Sequence, residues 1–331
     1  MKLDRVIMIN MSGGDVQYMQ TKLKDFGFLR DSADGNFGQN TLVAVTNFQT
    51  AVGLKPDGVV GMGTWTKLEG YNPNPQVAPE VAPKLADIPL KKSYVGQNGF
   101  AIYDYLLNDD EYIKTEVKKD TIWLHHTAGG SRADWSIGGW ENDFTKDKKG
   151  NPLLDANGKQ VPLKVGTQYV IGRKSSSTGD SLWDGKIVRA FDDKYWAYHL
   201  GISSKNSVEL NSKSVAIEIC NYGALTLGKD GRFYNYVNKP VMESEVTEVE
   251  FRGSKYWEKY TDTQIESLRR LILYLQSKWG IQVKSGIYNE TWFDYNDSWF
   301  STGGIRCHSQ VRKDKNDLFP QKEMMQMLNS L

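Results

Sequence analysis

Apolar residues recur at helical spacing in the first 70 residues of the chain. They are Val16, Met19, Leu23 and Phe26 in one segment and Leu42, Val45, Phe48 and Val52 in the next. We expect Asp15 to cap the first helix, Gly27 to end it, and Asn40 or Thr41 to cap the second. A short third helix is predicted over residues 63–68. This pattern therefore predicts that residues 1–70 form a small all-α domain of three helices.

After residue 70 the apolar periodicity stops and proline recurs every few residues up to position 84. Such a segment has no apolar face to bury, and proline favours an extended backbone. We therefore expect residues 71–92 to be a linker between two domains.

After the linker, short runs of β-branched and aromatic residues appear in residues 93–331, the second predicted domain. The predicted strands cover residues 121–125, 168–172, 186–191 and 214–220. The longest helix should begin at Thr261, which has capping-box spacing to Gln264, and end at Gly280. Its apolar stripe is Ile265, Leu268, Ile272, Leu275 and Trp279. This pattern predicts an α/β domain with a mixed sheet. Two polar segments, 130–165 and 222–260, are either walls of a groove or surface elaborations.

Composition narrows the class of protein. The chain has 331 residues and a formal net charge of +1, which argues neither for nor against a nucleic-acid partner. No Lys/Arg stripe stands out, and we expect no such partner. No stretch approaches the roughly 20 apolar residues of a membrane span, so we expect no membrane insertion. The N-terminus does not read as a secretory signal, which favours synthesis in the cytoplasm. Cys220 and Cys307 are the two cysteines, and a contact between them stays open. The ten tryptophans and seventeen tyrosines suit either a core or sugar stacking.

The four histidines indicate where chemistry should lie. His125 and His126 end a predicted strand, so they should point to opposite faces and at most one should face a site. His308 lies near the other end of the chain and is followed by Asp317. Catalytic zinc needs three protein ligands and one open position. His125, His308 and Asp317 could supply that set, with Asp314 as the alternative third ligand.

The N-terminal segment resembles a known family. Its order of residues includes Gln20, Asp-Gly-x-Phe-Gly at 34–38, Phe-Gln at 48–49 and Asp-Gly-x-x-Gly-x-x-Thr-Trp at 57–65. This order is similar to that of the three-helix peptidoglycan-binding domain. The resemblance implies affinity for bacterial peptidoglycan. The alternative is a packing module without a ligand.

The larger segment resembles the zinc-dependent N-acetylmuramoyl-L-alanine amidases from about residue 118 onward. The motifs that carry the resemblance are Leu-His-His-Thr-Ala at 124–128, Gln-Tyr-Val-Ile-Gly at 168–172, Trp-Ala-Tyr-His-Leu-Gly at 196–201, Ser-Val-Ala-Ile-Glu at 214–218 and His-Ser-Gln-Val at 308–311. The resemblance implies a Zn²⁺ ion held by His125, His308 and Asp317. His126 should pack or hydrogen-bond beside the site.

The resemblance also implies roles for three further residues. Glu218 takes the place of the general acid/base, and its position among apolar neighbours favours a functional role over a structural ion pair. Lys315 takes the place of the lysine that stabilises the oxyanion, with plain solvent exposure as the alternative. His199 corresponds to a histidine that lines the site and contacts substrate or stabilises the transition state. Thr167 stands where phage-type members carry a catalytic tyrosine, so Glu218 should fill that role.

Together these resemblances predict a peptidoglycan hydrolase that cuts the amide bond between N-acetylmuramic acid and L-alanine. We expect a phage or prophage endolysin that reaches the wall through a holin-type lesion or by particle delivery. The alternatives are a recognition module without activity, a structural component of a phage or contractile particle, and a zinc endopeptidase of the stem peptide.

Overall fold

A computed structural model describes residues 3–8, 11–26, 28–29, 33–54, 58–71, 90–96, 99–141, 143–147 and 150–331. The chain divides into two compact units, Met1–Pro89 and Leu90–Leu331. The linker predicted over residues 71–92 stays a prediction, because residues 72–89 lie outside the described part of the chain.

The first unit contains the three predicted helices: α1 (Gly14–Asp25), α2 (Gln39–Ala51) and α3 (Met62–Gly70). Their apolar faces meet in one core, as the spacing predicts. Its buried members include Val16, Met19, Leu23, Phe37, Val45, Phe48, Val60, Trp65 and Leu68.

The predicted N-caps of α1 and α2 are wrong, and Gly27, which was predicted to end α1, lies outside the described residues. Gly13 precedes α1, and Asp15 lies in the first turn, where its carboxylate pairs with Arg5 at 2.7 Å. An acid in the first turn still stabilises the helix dipole. Thr41 lies inside α2, and its hydroxyl accepts a hydrogen bond from Gln20 instead.

Two buried glutamines make the same pattern of hydrogen bonds in this unit. The Gln20 side chain accepts from the Gly35 amide at 2.7 Å and donates to the Thr41 hydroxyl at 2.9 Å. Gln49 accepts from the Gly58 amide at 2.9 Å and donates to Thr64 at 3.1 Å. Each glutamine thus ties a glycine turn to the third residue of the following helix, and the buried amide is satisfied by those bonds.

The second unit is built on a seven-stranded sheet. In chain order its strands are β1 (Lys91–Val95), β2 (Ala101–Asp104), β3 (Thr121–His126), β4 (Tyr169–Ile171), β5 (Ile187–Arg189), β6 (Ser214–Ile219) and β12 (Gly304–Cys307). Their spatial order is β1-β2-β5-β4-β6-β3-β12. Strands β4, β6, β3 and β12 run parallel, whereas β5 is antiparallel to β4 and β1 to β2. The sheet is therefore mixed, as predicted. Strands β1, β2 and β12 were not predicted.

Alternation along the strands separates two faces of this sheet. One face packs against α6 (Asp262–Trp279) and α7 (Lys322–Asn329). Its core includes Ile122, Leu124, Val215, Ile217, Ile219, Leu268, Ile272, Leu275 and Met324. The opposite face carries α4 (Ala133–Trp140) and smaller clusters around Val170 and Trp123. The predicted capping box of α6 is confirmed at Thr261 and Gln264, and Gly280 ends the helix with a φ of 71°.

The polar segment 222–260 forms a second sheet of its own. Its strands are β7 (Ala224–Leu227), β8 (Phe233–Tyr234), β9 (Pro240–Val241), β10 (Val246–Phe251) and β11 (Ser254–Glu258), in the order β10-β11-β7-β8-β9. The buried Arg173, which follows β4, donates to Glu245 at 2.9 Å and also pairs with Glu258. This ionic cluster fixes the second sheet to the end of the main sheet. The helix α5 (Ser207–Ser212) precedes β6.

One question left open by composition, the contact between the two cysteines, receives an answer from the structure. Cys220 and Cys307 are both free and buried, and they lie in different core clusters. Among the described residues, no helix is both long enough and apolar enough to cross a membrane.

Candidate metal centre and active site

Three neighbouring parallel strands deliver the candidate site residues to one end of the sheet. In the register of β3 with β6, His125 lies opposite Glu218. His308 comes directly after β12, the strand on the other side of β3. Because the carboxyl ends of parallel strands meet at one edge, residues about 180 positions apart in the chain converge there.

The predicted ligands form a compact cluster. The Nδ1 atoms of His125 and His308 are 3.1 Å apart. An Asp317 carboxylate oxygen lies 3.0 Å from His308 Nδ1 and 3.4 Å from His125 Nδ1. All three residues are buried, and their ligand atoms lie within 4.8 Å of one another. Two imidazoles and one carboxylate around a common point are a donor set that suits zinc.

The outer nitrogen of His308, which is Nε2, has a fixed hydrogen-bond partner. Its Nε2–H donates to the Leu200 carbonyl at 2.8 Å, since a carbonyl can only accept. The proton therefore resides on Nε2, and Nδ1 presents a lone pair towards the cluster. The Ser309 amide donates to the Asp317 carbonyl at 2.8 Å and closes the loop between the two ligands.

A chain of hydrogen bonds fixes the orientation of His125 in the same way. The Ser214 hydroxyl donates to the Asn211 carbonyl at 3.0 Å, so its oxygen accepts from His199 Nε2 at 2.9 Å. His199 Nδ1 then accepts from His125 Nε2 at 3.0 Å. This direction of donation leaves the Nδ1 lone pair of His125 free for the cluster.

Burial and charge set the protonation states of the ligands. Burial lowers the pKa of His125 to about 4, so the imidazole is neutral at pH 7. Burial alone would raise the pKa of Asp317, but the electrostatic effect of His308 and the close contacts with both histidine rings outweigh it and hold that pKa well below its usual range. A metal requires neutral imidazole ligands and an ionised carboxylate, and the pKa shifts of His125 and Asp317 favour these states.

Glu218 has an unusual environment beside this cluster. Its Oε2 atom is buried and has no hydrogen-bond partner among the described residues. Burial raises the pKa of Glu218 to about 8, with the Asp317 charge adding to the effect and Lys315 opposing it. A buried oxygen without a partner is costly, so its presence points to a group that binds there during function.

The other predicted residues are distributed around the cluster. Lys315 is half-buried, and its charge acts on His125, His126 and Glu218. His126 faces the opposite side of the sheet from His125, as alternation predicts, and its Nδ1 lies 2.8 Å from the Tyr260 hydroxyl. The predicted role of His199 in contacting substrate stays a prediction, although both of its ring nitrogens already have protein partners.

The alternative third ligand lies outside the cluster that Asp317 completes, since Asp314 is exposed and pairs with Arg312. Thr167 is buried, and its hydroxyl donates to the Tyr169 carbonyl at 3.1 Å.

Sequence reasoning missed the groups that support the ligands. The Leu200 carbonyl and the Ser214 hydroxyl belong to motifs that the sequence displays, but a backbone oxygen carries no residue-type signal. Arg252, whose guanidinium donates to the Ser309 carbonyl at 2.7 Å, was missed because it lies in a segment that was interpreted as a polar insert.

The fold and the site together define a mixed α/β protein with a candidate metal centre of two histidines and one aspartate. Residues 115–320 match the N-acetylmuramoyl-L-alanine amidase family, and residues 12–68 match the peptidoglycan binding domain family. The first match covers more than half of the chain. The chain therefore belongs to the N-acetylmuramoyl-L-alanine amidase family and carries an N-terminal helical peptidoglycan-binding domain, so the predicted fold class is confirmed.

Individual proteins resemble parts of the chain. An uncharacterized protein of Kitasatospora aureofaciens is 48% identical over 59 residues, which are 18% of this chain and 50% of that protein. A spore cortex-lytic enzyme of Oceanobacillus iheyensis is 40% identical over 154 residues, which are 46% of this chain and 44% of that enzyme. The matched region thus spans half or less of the length of these relatives. The crystal structure of the SleB N-terminal domain is 40% identical, covers 20% of this chain and 92% of that chain, and has a TM-score of 0.20.

Proposed function

We propose that this protein is a peptidoglycan hydrolase that uses zinc to cut the amide bond between N-acetylmuramic acid and L-alanine. The observation that carries the proposal is the buried, unpartnered Glu218 oxygen beside the cluster of His125, His308 and Asp317. Membership of the amidase family supports the type of bond that is cut.

The residues fit a zinc ion. Both histidines have their outer nitrogens fixed by protein acceptors, and both direct Nδ1 at the Asp317 carboxylate. His125, His308 and Asp317 would hold the ion. A zinc ion bound there would supply Lewis acidity, which polarises an amide carbonyl and makes water more acidic.

The protein's own groups would handle the protons and the developing charge. In its ionised form, Glu218 would take a proton from the attacking water on its buried oxygen and deliver it to the nitrogen of the leaving L-alanine. Lys315 would stabilise the negative charge on the carbonyl oxygen, since its ammonium already acts electrostatically on Glu218 and His125. His199 would act through His125 by holding its ring.

The N-terminal unit would hold the polymer while the second unit cuts it. Residues 12–68 match a peptidoglycan binding domain, and both units would therefore address one substrate. Attachment to the wall raises the local concentration of the bond to be cut without adding contacts at the site. The expectations that nucleic acid is not bound and that membranes are not entered stay predictions.

The proposal is tested by mass analysis of purified peptidoglycan after digestion. An amidase releases stem peptides with a free L-alanine amino terminus and leaves the lactyl group on the sugar. Cleavage inside the stem peptide would instead identify an endopeptidase. Wall binding without any release, in the presence of added zinc, would identify a recognition module.

We also propose that the biological setting is lysis by a phage or prophage. Family membership supports wall hydrolysis, whereas the setting rests on the sequence expectation alone. Expressing the gene in the host with a holin, and separately without one, tests this proposal. Lysis only in the presence of the holin supports it, and export of the protein from growing cells without lysis contradicts it.

A further inference from the structure

Arg252 lies at the tip of the β10–β11 hairpin, far along the chain from every predicted site residue. Phe251 pairs with Ser254, so Arg252 and Gly253 form a two-residue turn. Both have positive φ, 48° for Arg252 and 77° for Gly253. Turns of this kind favour Asn-Gly, because asparagine tolerates the left-handed region and longer side chains rarely adopt it. Arginine is therefore a costly choice for the turn itself, and a strained residue of this kind suggests a role for its side chain.

The hydrogen bonds of the Arg252 side chain indicate such a role. Its guanidinium donates to three backbone carbonyls: Ser309 at 2.7 Å, Lys313 at 2.6 Å and Arg312 at 3.1 Å. All three belong to residues 309–316, which we call the ligand loop because it joins His308 to Asp317. A planar guanidinium with several fixed donors suits this kind of multiple contact better than a lysine ammonium does.

The contacts reach the site by a short path. The Ser309 carbonyl accepts from Arg252, and the amide of the same residue donates to the Asp317 carbonyl at 2.8 Å. The Arg312 carbonyl accepts both from Arg252 and from the Lys315 amide, the latter at 3.3 Å. The guanidinium is thus linked through one residue each to a candidate metal ligand and to the candidate oxyanion group.

A second arginine holds the other side of the ligand loop. Arg312 donates to the Gly201 carbonyl at 3.2 Å, next to Leu200, whose carbonyl accepts from His308. The loop is therefore held between the main sheet and the second sheet. The first residues of the loop have further contacts, since the Ser309 hydroxyl donates to the Phe293 carbonyl at 2.8 Å and the Asn296 amide donates to the Gln310 carbonyl at 3.0 Å. Arg252 adds contacts to the second half of the loop, at the Arg312 and Lys313 carbonyls.

We propose that Arg252 is a positioning residue that clamps the ligand loop, so that the second sheet sets the geometry of His308, Lys315 and Asp317. The clamp itself does not depend on the reaction. Its effect on metal affinity and catalysis rests on the function proposed above. The segment 222–260 thereby gains a role beyond surface elaboration.

The test uses the full chain and the variant Arg252→Asn. Asparagine before Gly253 suits the turn, so the hairpin should stay folded while the guanidinium is lost. The matched control is Arg232→Ala, which removes an arginine from the β7–β8 turn of the same sheet. The Arg232 side chain is 73% exposed, and its described ion partner is Asp230 at 4.0 Å.

The first readout is amide hydrogen exchange of the metal-free protein. Residues 309–316 should exchange about tenfold faster in Arg252→Asn than in the wild type, because three charge-assisted hydrogen bonds are lost. Strands β10 and β11 should be unchanged, Arg232→Ala should match the wild type, and Arg252→Lys should fall in between. Unchanged exchange of the ligand loop in Arg252→Asn would overturn the clamp.

The second readout is zinc affinity, measured by competition with a chelator. Arg252→Asn should bind zinc about 10- to 100-fold more weakly, as expected when a group that supports ligands is removed. Its kcat should fall more than its KM rises, since the substrate-binding surface is not altered. Faster loop exchange with wild-type affinity and kcat would overturn the link to the site. If the wild type binds no zinc while the loop still loosens, the proposed function fails and the clamp stands.

Discussion

Glu218 lies directly opposite His125 in the parallel pairing of β6 with β3. Since side chains of paired residues project from the same face of a sheet, the candidate proton carrier and the candidate metal ligand are neighbours by strand register alone. The other face of both strands is occupied by the main core, so a one-residue slip would turn Glu218 into that core and move Ile217 and Ile219 to the site face. The register that buries the core therefore also builds the site.

This relationship predicts the effect of Glu218→Gln. The change keeps the shape of the side chain but removes its basicity, so kcat on peptidoglycan should fall by about 10²- to 10⁴-fold. Zinc content should be unchanged, because Glu218 is not in the ligand cluster. Initial rates and metal analysis on the same preparations check both points.

The matched control is Glu209→Gln. Glu209 is 51% exposed and pairs with Lys213 on α5. It should keep full activity. Wild-type rates for Glu218→Gln would remove the residue from the mechanism, whatever the metal content.

The hydrogen-bond chain from Ser214 through His199 to His125 predicts a loss of zinc affinity in His199→Ala. The ring of His125 would lose the partner that fixes its proton on Nε2, so affinity should fall about 10- to 100-fold. Ser214→Ala should act in the same direction and more weakly. Chelator competition measures both. Wild-type zinc affinity together with lower kcat in His199→Ala would favour direct contact with substrate instead.

The buried Lys119 predicts a pH dependence of stability. Its ammonium donates to the Tyr195 and Ser212 carbonyls at 3.0 and 2.6 Å, yet burial lowers its pKa from 10.5 to about 8. The folded state thus holds this proton less tightly than the unfolded state does. Burial of the charged Lys119 side chain therefore lowers the free energy of unfolding by about 3 kcal/mol at most. This destabilisation is full below pH 8, decreases between pH 8 and 10.5, and is absent above pH 10.5.

Comparison with Lys119→Met isolates this effect, because the other titrating groups contribute equally to the stability of both proteins and cancel in the difference. The free energy of unfolding of the wild type, relative to the variant, should rise as pH increases from 8 to 10.5. Denaturant titrations at several pH values measure it. A constant difference across that range would show that Lys119 titrates normally in the fold.

Both cysteines should be reduced and unreactive in the native protein. Cys220 and Cys307 are free and buried, and burial raises the pKa of the Cys307 thiol to about 12. Little thiolate exists at pH 8, so a thiol reagent should react slowly with the native chain and quickly with two thiols after denaturation. Fewer than two thiols after denaturation without reductant would indicate a disulfide.

Sequence reasoning predicted much of the fold because local signals and burial agree. The helix α6 carries a capping box, an apolar stripe and a terminal glycine, and all three features are present. The strands β3, β4, β5 and β6 carry dense apolar runs and were also predicted. In contrast, β12 reads Gly-Ile-Arg-Cys and has no such run, so its place beside β3 follows from tertiary pairing that no local pattern encodes.

The site could be predicted only where residue type carries the signal. His125, His308 and Asp317 lie together because β3 and the segment that follows β12 meet at one sheet edge. The bonds that orient them depend on backbone carbonyls and on an arginine of the second sheet. Strand pairing and turn geometry determine those contacts, and neither is visible in spacing.

The most direct test compares Asp317→Asn with Asp314→Asn in the release of L-alanine amino termini from purified peptidoglycan. Asp317 completes the buried cluster, whereas Asp314 is exposed and pairs with Arg312. The account predicts that Asp317→Asn loses bound zinc and nearly all release, while Asp314→Asn keeps about one zinc per chain and wild-type release. Wild-type release by Asp317→Asn, or loss of zinc in Asp314→Asn alone, would contradict the assignment of the metal centre.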